Sequence, residues 1–100
     1  MAKYIVPSEV VSPKKIWGLI AVLDDEGTEN GSALAIGRWD GEVFLALRWN
    51  GTEAKPNGNP QSRGVPTWFI VPHKFEEDIL QNKGLSPDKV TMARSLFSAN

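Results

Sequence analysis

Asp40-Gly41 sits between two eight-residue runs, Ser32–Trp39 and Glu42–Trp49, that are rich in apolar and aromatic residues. This residue pair tolerates positive φ at both positions, the requirement of a two-residue type I′ turn. A turn that tight fixes the register of the strands it joins. Trp39 then opposes Glu42, Arg38 opposes Val43, Gly37 opposes Phe44 and Ile36 opposes Leu45. Beyond these, Ala35 opposes Ala46, Leu34 opposes Leu47, Ala33 opposes Arg48 and Ser32 opposes Trp49. One face collects Leu34, Ile36, Val43, Leu45, Leu47 and Trp49 and reads as the core face. The other collects Ala33, Ala35, Gly37, Trp39, Phe44 and Ala46. It is shallow, and its small residues allow a second surface to approach closely.

The rest of the chain falls into place around this hairpin. Residues 3–6 and 9–11 read as short β-prone pieces around Pro7 and Ser8. Residues 15–24 read as a central strand, because both of its faces are apolar. Residues 25–31 are polar and carry Gly27, Asn30 and Gly31, so they form a loop. Residues 50–66 hold three prolines and three glycines and read as one long irregular segment. Loops of that length in compact domains are either functional or disordered. Residues 67–71, Thr-Trp-Phe-Ile-Val, read as a fourth strand. Pro72 opens a helix to about Asn82, and Gly84 suits the position just past its end. Ser86-Pro87-Asp88 supplies an N-cap, a first-position proline and a first-turn acid for a last helix to about Phe97. The expectation is a single α+β domain over residues 1–100. It has an antiparallel meander of four to five strands and two C-terminal helices packed on one face.

Composition narrows the function classes. Eleven Lys and Arg against twelve Asp and Glu give a net charge of −1, which disfavours nucleic acid as the partner. There is no cysteine, so thiolate chemistry and Cys-based zinc sites are excluded. The run Ile16–Leu23 is too short to span a membrane, and Asp24-Asp25-Glu26 stands where a signal cleavage site would need small residues. The reading is a cytoplasmic protein without a membrane segment. His73 is the lone imidazole, which leaves general acid–base equipment sparse. No catalytic residue, cofactor or metal is assigned.

Two function classes remain. The first is a non-catalytic interaction module, a homodimer joined through the shallow sheet face or an open sheet edge. Its interface residues would be Gly37, Trp39 and Phe44. The second is binding of a small molecule, a nucleic acid or a small anionic partner through loop 57–68. Asn57, Asn59 and Gln61 offer donors and acceptors there, Arg63 an anion anchor, and Trp68 an aromatic wall. Ordering of residues 57–66 is part of that second expectation.

Overall fold

Asp40 and Gly41 both adopt positive φ, +52° and +85°, in the computed structural model, which describes residues 3–100. The turn joins β2 (Ser32–Trp39) to β3 (Glu42–Trp49), and all eight pairs fall in the register the turn dictates. β1 (Trp17–Asp25) pairs antiparallel with β2, with register shifts between Leu19 and Ala21 and between Val22 and Asp24. The segment read as a central strand is thus an edge strand, and its bulges bend it and blunt it against further pairing.

Past β3 the strands are short. β4 (Gln61–Ser62) and β5 (Val65–Pro66) form a small hairpin, with Arg63 and Gly64 at positive φ in its turn. β6 (Phe69–Ile70) pairs with β3 at Ala46 and Leu47 and completes a four-stranded sheet in the order β1-β2-β3-β6. The strand read over 67–71 is therefore reduced to two residues. Trp68 turns into the interior, where its indole N–H donates to Val10 O at 2.7 Å, and this takes 67–68 out of the ladder. The N-terminal pieces read as β-prone form no strand; a 3-10 turn occupies Pro7–Glu9 and packs against β1.

Two helices follow the sheet, α1 (Glu76–Asn82) after a 3-10 turn at His73–Phe75, and α2 (Pro87–Ser98). Gly84 takes φ +78°, the left-handed conformation that ends a helix. Ser86 has the extended backbone of an N-cap, but its hydroxyl makes no capping hydrogen bond; its carbonyl accepts from Lys89 and Val90 N–H. Leu80 and Ala93 from the helices meet Leu23, Leu34, Ile36, Val43 and Leu45 in the main core. The protein is α+β, with the helices after the sheet and on the Leu34/Leu45 face.

The shallow face is also covered, and the chain itself covers it. Val10, Trp17, Trp68 and Ile5 pack over Ala33, Ala35 and Ala46 in a second apolar cluster. A Cβ on Gly37 would meet Gly18 O at 2.7 Å and press still closer on the Trp17 ring. The close approach that small residues permit is thus made within the chain.

Candidate functional site

The two helices do not reach the whole of the face they cover. α2 lies over the turn end of the hairpin. There the Asn100 side chain pairs with the β3 edge: Val43 N–H donates to its Oδ1 at 2.8 Å and its Nδ2 donates to Val43 O at 3.0 Å. At the far end, where Ser32 opposes Trp49, a groove of about 810 Å3 opens between α1 and the β3–β6 edge. Leu34, Leu47 and Val71 line it, with Ile79 of α1 along one side. Trp49, Phe69 and Phe75 line it too, at 58%, 58% and 47% exposure, against the burial usual for such large apolar side chains. Ser32, Arg48, Asp78, Asn82 and Lys83 supply the polar part of the lining. Lys83 Nζ lies 3.0 Å from Asp24.

Trp49 also borders a second, polar cleft of about 400 Å3. Its other walls include Asn30, Asn50, Thr52, Lys55, Asn59 and Gln61. Backbone pairing builds this cleft. Trp49 N–H donates to Asn59 O at 2.7 Å, Asn59 N–H returns to Trp49 O at 3.1 Å, and Asn50 N–H donates to Gly31 O at 2.7 Å.

Beneath the loop lies Arg48, which is only 2% exposed. Its guanidinium donates to Asn57 O and Thr67 O and sits over the Trp68 ring, 5.8 Å from the centroid. Its Nε has no partner among the described residues. Burial pushes its pKa down. Residues 57–67 are therefore held by the chain's own cation. Ile5 N–H, donating to Pro56 O at 3.0 Å, ties the N-terminal segment to the same loop.

The structure separates the residues that sequence reasoning grouped in this loop. Asn59 and Gln61 line the polar cleft. Asn57 does not; its Nδ2 donates to Gly64 O at 2.7 Å and closes the β4–β5 hairpin from below. Arg63 is exposed at the tip of that hairpin, at φ +53°, and lines neither concavity. Trp68, 6% exposed, belongs to the second core cluster. Of the expected interface residues, Gly37 is buried beneath Trp17, Trp39 is half-buried against the second cluster, and Phe44 stacks on His73 with ring centroids 4.2 Å apart.

Sequence reasoning missed Trp49, Phe69 and Phe75. Strand alternation places Trp49 on the core side, and it is on that side, but beyond the reach of α1. One signal was present: Ser32 directly across from Trp49 marks the pair at which the apolar face stops.

His73 joins α1 to the sheet beside the groove. Its Nε2 pairs with Glu42 and its Nδ1 with Glu76. Phe75, which lines the groove, sits between His73 and Glu76 in the chain. The hydrogen bond to Glu42, then that to Glu76, raise the His73 pKa above the usual imidazole value of 6.5. A raised folded pKa means that this contribution to stability is fully present below pH 6.5. It is lost as pH rises through the folded value. His73→Gln should therefore lose more urea resistance relative to wild type at about pH 6 than at about pH 9. A difference independent of pH would show that the imidazolium does not hold these carboxylates.

Among the described residues, no group of three or more His, Cys, Asp or Glu is placed to hold a metal ion, and no helix is long and apolar enough to cross a membrane. Compared with family models, curated proteins and solved structures, the chain matches none of them.

Proposed function

We propose that this protein is a non-catalytic interaction module that pairs with a second copy of itself through the groove between α1 and the β3–β6 edge. The observation that carries this reading is the convergence of Trp49, Phe69 and Phe75, all strongly exposed, on one concave apolar surface. Taking about 150–250 Å2 for each aromatic side chain, their exposed parts amount to roughly 350 Å2. That lies in the range of about 300–600 Å2 for the largest, often functional, apolar patch on a monomer. A standard interface needs about 800 Å2 per partner, so the rings form its centre and the polar residues around them its rim.

Self-pairing suits this surface for two reasons. A groove bordered by a protruding indole is self-complementary: each copy offers a knob and a hole, as two-fold symmetry requires. Asp78 lies in the first turn of α1 and Lys83, paired with Asp24, just past its last residue, so an antiparallel approach of two α1 helices sets Asp78 of each copy against the Lys83 end of the other. The net charge of −1 adds little repulsion between copies.

Sedimentation at about 100 µM, well above a micromolar Kd, should give a dimer. Phe69→Asp should shift it to monomer with little change in thermal stability, because Phe69 is an exposed residue on a two-residue edge strand. A wild-type chain that sediments as a monomer at that concentration would end the reading.

A further inference from the structure

The polar cleft on the other side of Trp49 has a chemistry distinct from the groove. Asn30, Asn59 and Gln61 bring side-chain carboxamides to it, with the Thr52 hydroxyl and Lys55. The Thr52 hydroxyl already accepts from Lys55 N–H at 3.0 Å, but the carboxamides are only lightly engaged within the chain. Gln61 makes one long contact, 3.5 Å to Gly58 O, and among the described residues no hydrogen bond takes up the amides of Asn30 or Asn59. Asn50, 1% exposed, lines the same cleft. Its Nδ2 donates to Asp25 Oδ1 at 2.9 Å and faces Thr28 O at 3.4 Å, which fixes the orientation of the amide. Its Oδ1 is then a buried acceptor without a protein partner among the described residues. Buried acceptors of this kind call for an explanation at the site they occupy.

We infer that this cleft is a binding site for a neutral saccharide. A carboxamide both donates and accepts, as a sugar hydroxyl does, so a ring of carboxamides matches a polyol better than it matches an ion. The exposed indole offers a negative π face to the positively polarised C–H face of a pyranose ring. The volume is at the low end of the range of about 300–1,000 Å3 for ligand sites, which suits one or two sugar rings. Charge argues against a nucleotide. Among the described residues Lys55 is the only cation in the lining, and Glu29 and Glu53 flank the cleft next to Asn30 and Thr52, with Glu53 N–H donating to Glu29 Oε2 at 3.4 Å. Lys3 Nζ lies 3.5 Å from Glu53 Oε1, so the two carboxylates balance the two ammoniums, Lys3 and Lys55, and the cleft offers a phosphate no net positive charge.

The test is an NMR titration of the full isotope-labelled chain with maltotetraose, cellotetraose, mannotetraose and tetra-N-acetylchitotetraose, each to about 10 mM, and with AMP as the phosphate-bearing arm. At least one oligosaccharide should shift the Trp49 indole N–H and the side-chain amides of Asn30 and Asn59. Asn30 has φ +61°, so Asn30→Gly removes the carboxamide without backbone strain and should weaken that binding about tenfold. Phe69→Asp, which opposes dimer formation, should leave the same shifts in place, so the site stands or falls apart from the dimer. The inference is overturned if none of the four sugars moves these resonances, if AMP moves them more than any sugar does, or if Asn30→Gly leaves the affinity unchanged.

Discussion

Gly58→Ala should destabilise the fold by about 2–5 kcal/mol, combining the cost of overpacking with that of a left-handed backbone. Gly58 is buried at φ +62°. A Cβ there would come within 2.8 Å of Arg48 Nη2 and of Gly51 N, and closer still to Trp49 O. Two of those atoms are backbone, so relief requires moving β3 or the 50–58 segment. Gly64→Ala is the control. Its φ is also positive, at +79°, but nothing lies within 4 Å of the added carbon. It should cost only backbone strain, about 1–2 kcal/mol. Urea denaturation of the two variants separates the terms. Equal losses would mean that the Gly58 loop does not press on β3 as described.

This contrast also shows what could be read from the sequence. The hairpin was legible because two independent signals agreed: the turn residues fixed a register, and that register sorted apolar side chains onto one face. The helices were legible through Pro87, Gly84 and their apolar spacing. Elements whose form depends on distant partners were not. Thr67–Val71 consists of β-forming residues, yet Trp68 finds Val10 and the second core, and only Phe69 and Ile70 remain in the ladder. Propensity for strand is weaker than the burial of an indole. Ile5 and Val10, β-branched and strand-forming by propensity, likewise cover the shallow face without forming a strand. The groove escaped notice because its existence depends on where α1 stops relative to Trp49, a quantity no local pattern records. The sequence offers loop 57–68 as a binding segment with Arg63 as its anchor, but the arginine that the structure sets against that loop is Arg48. Arg48, paired with Ala33, lies beneath the loop because the Ala33 face of the sheet is itself covered.

Arg48→Ala should lower stability by about 3–5 kcal/mol, because two part-buried carbonyls lose their donors and a cavity remains. Arg48 has no carboxylate within ion-pair distance among the described residues, so its charge is met by the Asn57 and Thr67 carbonyls and the Trp68 ring. Arg48→Lys keeps the charge but not the fork. A compact ammonium cannot reproduce the pair of carbonyl contacts made by a planar guanidinium, so this variant should recover less than half of the loss. The loss should also be local before it is global. Hydrogen exchange at Gly58, Asn59 and Thr67 should accelerate well beyond that at Leu34 to Ile36, because those loop amides open when the clamp is gone while the hairpin core keeps its packing. Uniform acceleration would instead make Arg48 a general core residue with no special hold on the loop. Unchanged stability in Arg48→Ala would mean that these carbonyls reach water without it. The loop would then be held by backbone pairing at Trp49 and Asn59 alone.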